Sequence, residues 1–147
     1  MRTIMQTIHP LIVHFPIALL LTTVAVELFA VLLRRPNLHA VSLWNHVLGA
    51  VAAGGAVLSG LQAEKVAKHS YEIYEIMERH EKLGIVTLVL AAVTAVWRLW
   101  RRDKLSGKER AACVALLLIM VATIVIGAHL GGDLVYEFGV GGSFGRK

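Results

Sequence analysis

The sequence predicts an all-α integral membrane protein, a four-helix bundle in up-down-up-down order, and three observations carry that prediction. Of its 147 residues, 56% are hydrophobic and only 17% charged, and the mean hydropathy of +0.66 lies beyond the range of soluble domains. Four apolar runs, residues 10–33, 43–61, 80–100 and 111–130, each supply about the 20 helical residues that cross roughly 30 Å of hydrocarbon. None of the runs shows the alternation of barrel strands, and in lipid only helices and closed barrels satisfy the backbone. The chain therefore reads as a single four-span domain over residues 1–147.

The first run begins at HPLIVHFPIALLL. It is far longer than the apolar core of a signal peptide, about 7–15 residues, and no small-residue cleavage site follows it, so it reads as a retained span. Pro16 cannot donate to the carbonyl of Ile12 and would clash inside a helix. A helix beginning near His14 or Phe15 puts Pro16 in the first turn, where backbone donors are unpaired anyway. Residues 34–42 form a short basic loop before the second span. The connection 62–79 places Val66, Ile73, Ile76 and Met77 largely opposite Glu64, Lys68, Glu72, Glu75 and Arg79, which predicts an amphipathic helix covering the outer surface or extending the third span upstream. After a second basic loop, 101–110, comes the fourth span with the lone Cys113, which has no partner for an intramolecular disulfide. Gly131 or Gly132 is the expected C-cap, followed by a glycine-rich outer tail, 131–147.

Basic residues orient the spans. Arg34, Arg35, Arg98, Arg101, Arg102, Lys104, Lys108 and Arg110 gather at the first and third loops, whereas the basic residues on the opposite side are diluted by Glu64, Glu72, Glu75, Glu78 and Glu81. By the positive-inside rule the two short loops are cytoplasmic, and both termini and the 62–79 connection are outside. Trp44, Trp97 and Trp100 then mark the inner interface as an aromatic belt. The +5 net charge is a topology signal, and with basic residues flanking spans no nucleic-acid partner is expected.

Once oriented, the first, third and fourth spans each bring histidine to the outer level: His9 and His14, His80, and His129. His69 lies in the outer connection and His39 in a cytoplasmic loop. Two neutral imidazoles from different helices, with apolar side chains around them, are the ligand set of a b-type haem in a helical bundle. His14 and His80, on diagonal helices, are the expected axial pair for one haem at the outer side. His129 is an alternative ligand or a donor to a propionate, and Gly84, one turn from His80, leaves room for the macrocycle, as Gly60 and Gly127 do on their own spans. The competing chemistry is a non-haem metal held by His9, His14, His80 and His129 with Glu64 or Glu81. His9 and His14, five residues apart, are about 140° apart on a regular helix and share a site only if the chain turns before the helix starts. Deeper toward the inner side, Glu27 and His46 sit at similar depth and are expected to pair as a proton relay, unless Glu27 pairs structurally with Arg98.

HPLIVHFPIALLL, GAVAAGGAVLSGLQA, RHEKLG and GAHLGGDLVYEFGVG together resemble the bacterial membrane family called domain of unknown function 2231, over nearly the whole chain. The resemblance implies a bundle of four spans in a bacterial inner membrane. His80 falls within the family pattern and His46 outside it. Some relatives stand beside or fused to c-type cytochrome domains, which favours haem and electron transfer; the chain has no CxxCH, so its haem would be non-covalent. The expected function is a membrane electron-transfer subunit with one haem b, working between a membrane quinone and a periplasmic redox partner such as a cytochrome, in lipid and with a protein partner or as a homo-oligomer. The alternatives are a non-haem metal-binding protein or a cofactor-free structural subunit of a larger complex.

Overall fold

A computed structural model describes residues 9–65, 70–102 and 104–140. They form four long helices: α1 (His14–Leu32), α2 (Pro36–Glu64), α3 (Tyr71–Trp100) and α4 (Gly107–Tyr136). All four are long and apolar enough to cross a membrane, and each packs on its neighbour in sequence, with α1 also touching α4. One helical turn, 9–12, precedes α1 and is separated from it at Val13. The interruption falls where Pro16 has no N–H for the carbonyl of Ile12, and Pro16 lies buried in the first turn of α1, as its chemistry requires.

The helix ends follow local rules. Leu33 caps α1, Arg34 adopts φ 52°, and the amides of Arg34 and Arg35 reach back to the carbonyls of Val31 (3.3 Å) and Ala30 (2.9 Å). This is a Schellman ending, with arginine at the position usually given to glycine. Pro36 then opens α2. Ser70 caps α3 by accepting from the amide of Ile73, and Ser106 and Glu109 form a reciprocal capping box at the start of α4.

Two expected boundaries move. Residues 62–64 complete α2 and 71–79 are the first turns of α3, so within the described residues the connection is helix extension, with Val66, Lys68 and His69 lying outside them. The Glu75–Arg79 and Glu78–Lys82 pairs, four residues apart, support the solvated face of that extension. The fourth helix does not stop at Gly131 or Gly132. It continues to Tyr136, and the chain turns at Gly139 (φ 67°), where the amide of Val140 bonds the carbonyl of Leu134 at 2.8 Å. Both earlier glycines remain helical, because the turn residue is supplied further on.

The interior is built largely from small and medium side chains: Leu20, Val24, Ala53, Ala91, Cys113, Leu117, Met120 and Ile124. Bulky apolar residues such as Phe15, Phe29, Val51, Leu58, Val93 and Ile119 face outward. In lipid, burying such side chains brings little hydrophobic gain, so small residues that allow close helix approach sit at the contacts instead. Gly49 shows this most sharply: a Cβ there would lie 2.7 Å from Leu20 Cδ2 and 3.3 Å from Leu19 Cβ. Gly49→Val is expected to force α1 and α2 apart and to cost about 1–3 kcal/mol through overpacking, read as a lower thermal midpoint in detergent.

Candidate functional site

At one end of the bundle, four helices converge through two histidines and two glycines. His9, in the turn before α1, lies against Gly60 of α2; a Cβ at Gly60 would come within 3.0 Å of His9 Cε1. His80 of α3 lies against Gly131 of α4 in the same way, with 2.9 Å from a Cβ there to His80 Cε1. The two imidazoles are neighbours, with ring centres 6.3 Å apart and planes at 78°. The order across the bundle is thus Gly60, His9, His80, Gly131, and each ring occupies a place that any other residue at the facing glycine would invade.

The hydrogen bonds fix which nitrogen carries the proton. His80 Nδ1 lies 2.8 Å from the carbonyl of Gly127, which can only accept, so Nδ1–H donates. His9 Nδ1 lies 2.8 Å from Ser59 Oγ, whose hydroxyl hydrogen is already given to the carbonyl of Ala56 at 2.8 Å; His9 Nδ1–H is therefore the donor. With one proton on each ring, both Nε2 atoms present a lone pair, and no hydrogen bond to a described residue engages either of them. A ring whose Nδ1–H is tied to a backbone carbonyl or hydroxyl and whose Nε2 is left open is the arrangement metal-ligating histidines adopt.

Beside the pair lies a cavity of about 400 Å³, walled by apolar groups that include Leu20, Ala53, Val57, Ile124 and Leu134, with Glu64 and Glu81 also on its lining. Gly84 lines it too, and the nearest atom to a Cβ there would be Val57 Cγ2 at 3.9 Å, so the cavity is open at this point. Among the described residues no group of three or more His, Cys, Asp or Glu side chains is placed to hold a bare metal ion.

The expected ligands are redistributed by this geometry. His14 lines the cavity but is exposed, with its Nδ1 held by the carbonyl of Pro10 at 2.6 Å, and His9 takes the position beside His80 that the sequence assigns to His14. The reason is helical phase: Val13 keeps helical backbone angles and the bonds from its amide to the carbonyl of His9 and from the amide of Ile17 to its own carbonyl carry the helix through, so His9 and His14, five residues apart, lie about 140° apart around one axis. His129 is 80% exposed and points to Asp133 at 3.9 Å, away from the pair. Ser59 and the packing role of Gly131 go unforeseen, since a glycine four residues beyond Gly127 reads as a helix end until His80 is seen against it.

The other end holds a buried charge cluster. Glu27 is wholly buried on α1, and its carboxylate accepts from Arg98 of α3 (3.0 Å) and Arg110 of α4 (2.7 Å), with His39 Nδ1 of α2 at 2.9 Å. Arg98, also wholly buried, donates further to Ser42 Oγ (3.1 Å) and to the carbonyl of His39 (3.2 Å). The Glu27–His46 pair is not formed. His46 instead approaches Thr94 Oγ1 with Nε2 at 3.2 Å. The Thr94 hydroxyl donates to the carbonyl of Leu90, so His46 Nε2–H is the donor and its buried Nδ1 has no partner among the described residues. Two arginines draw Glu27 away from an uncharged imidazole because a buried carboxylate needs opposite charge more than a further dipole.

Two outcomes follow. ¹⁵N spectra of histidine-labelled protein are expected to show His9 and His80 protonated at Nδ1, and Gly131→Val is expected to disturb the His80 signal while lowering stability by about 1–3 kcal/mol. At the other end, Glu27→Leu strands Arg98 without its counter-charge and is expected to cost about 3–5 kcal/mol. The double variant Glu27→Leu, Arg98→Leu is expected to recover most of that loss, measured by thermal unfolding of both proteins in one detergent.

No curated protein and no solved structure gives a significant match to the chain. A family model described as predicted membrane protein, DUF2231, matches residues 5–143, a span that takes in all four helices, the histidine pair and the buried charge cluster. The chain belongs to the DUF2231 family of predicted membrane proteins.

Proposed function

We propose that the chain is a membrane electron-transfer subunit that binds one b-type haem between His9 and His80. The observation that carries this reading is the pair of imidazoles from separate helical segments, each anchored through Nδ1 and each leaving Nε2 open. His9 and His80, with ring centres 6.3 Å apart, would hold the iron through their Nε2 atoms. A site with two protein ligands suits a group that brings its own equatorial nitrogens better than a bare ion, which needs about four ligands from the protein.

A bound haem supplies one-electron redox chemistry. The chain's part is to fix both ring tautomers through Gly127, Ser59 and Ala56, to keep the ring faces clear through Gly60 and Gly131, and to surround the site with apolar groups that exclude water. By the positive-inside rule, the basic ends of α1, α3 and α4 face the cytoplasm. The spans then run up-down-up-down in a bacterial inner membrane, with both termini and the histidine pair on the periplasmic side. That placement suits exchange between a membrane quinone and a periplasmic redox protein.

The test is a visible spectrum of protein purified after haem-replete expression. A Soret band with a low-spin bis-imidazole signature is expected. His9→Ala and His80→Ala should each abolish the low-spin form, and His14→Ala and His129→Ala should keep it. Colourless protein that also takes up no added haemin would overturn the reading, and stoichiometric zinc or copper in its place would assign the pair to a non-haem metal.

A further inference from the structure

At the basic end, α1 and α4 diverge around a second cleft of about 710 Å³. α1 meets α4 far less extensively than it meets α2, and the cleft lies between them. One side of the cleft is cationic, with Arg34 beside Arg110 and His39; the remainder is apolar, chiefly Val31, Val114 and Leu118. Residues 110 to 118 of α4 rise about 12 Å along the helix, so the cleft joins a charged mouth to an apolar channel aligned with the spans.

One charge on the cleft has no counter-ion among the described residues: Arg110 pairs with Glu27, whereas Arg34 makes no ion pair or side-chain hydrogen bond with any described residue. Arg34 also occupies a left-handed backbone position, φ 52°, where glycine would be unstrained. A non-glycine residue is strained in that region, so the backbone here favours glycine while the cleft presents a guanidinium with no partner among the described residues.

We propose that this cleft is a binding site for one anionic phospholipid. Its phosphate pairs with Arg34 at the mouth, and an acyl chain lies along Val31, Val114 and Leu118. A guanidinium matches phosphate geometry through two parallel N–H donors, and basic pockets between spanning helices recognise anionic head groups. The length of apolar wall beyond the arginine selects a lipid over free phosphate. The site lies at the opposite end of the bundle from the histidine pair and does not depend on what that pair binds.

The test is native mass spectrometry of the full chain in detergent, titrated with dioleoylphosphatidylglycerol or dioleoylphosphatidylcholine. Wild type is expected to bind one phosphatidylglycerol at least about fivefold more tightly than phosphatidylcholine, the weight of one basic residue against an anionic lipid. Arg34→Gly relieves the backbone strain, so its thermal midpoint should hold or rise while the fivefold preference disappears. Arg102→Gly relieves the same strain at φ 49° on α3's end, away from the cleft lining, and should keep the preference. Ala115→Phe, which fills the apolar wall, should weaken phosphatidylglycerol binding with Arg34 intact. Equal binding of the two lipids by wild type, a preference that survives Arg34→Gly, or displacement of the lipid by millimolar inorganic phosphate would overturn the proposal.

Discussion

Burial of the Glu27 carboxylate is the constraint around which the helices are arranged. A carboxylate held away from both solvent and lipid must find its counter-charges within the protein, and Glu27 finds them in Arg98 on α3 and Arg110 on α4, with His39 Nδ1 on α2 also within 2.9 Å. One side chain thereby fixes the relative depth of all four helices. Sliding any of them by a turn, about 5.4 Å, would break an ion pair in a place where water cannot replace it. Buried ion pairs are weak evidence for net stability, so the contribution of this cluster is register: many packings of small-residue helices are nearly equal in energy in lipid, and few of them also satisfy Glu27.

The histidine end meets the same demand by shape. Gly60 and Gly131 remove side chains where the rings of His9 and His80 must lie, and the bonds to Ser59 and Gly127 set each ring's orientation. Four helical segments again meet in one cluster, here with two unengaged nitrogens beside an apolar cavity. The bundle is thus tied at both ends, by charge at one and by close packing at the other. Between them the helices meet through Leu20, Gly49, Ala53 and Ala91, which set how closely the backbones approach.

Arginine recurs at the basic end in positions that local backbone preference would give to glycine. Arg34 and Arg102 both end helices with positive φ, and a cation in that position also complements the partial negative charge of the helix C-terminus. The basic loops therefore combine two effects in few residues: helix termination and a cationic rim on the cleft between α1 and α4.

The number, type and approximate place of the spans were legible in the sequence, because hydrocarbon thickness imposes a length and an apolarity that no packing detail can override. The option of Glu27 pairing with Arg98 was legible as the alternative to His46, since an ionisable group in a span must find a partner, but the complete burial of Arg98 was not, because at a helix end it reads as one more basic residue of the adjoining loop. That His80 lies at the same end of the bundle as His9 and His14 followed from depth alone. Which histidine meets it did not: depth ranks His9, His14 and His129 equally, and rotation about each helix axis separates them. Only the tertiary structure settled that rotation, by setting His9 against Gly60 and His80 and leaving His14 and His129 exposed. Gly131 makes the same point, because an isolated glycine near a helix end reads as a cap in one dimension and as space for a ring in three. Composition and length thus determined that the chain forms four helices long and apolar enough to cross a membrane, and packing around Glu27 and the two glycines decided which side chains face one another.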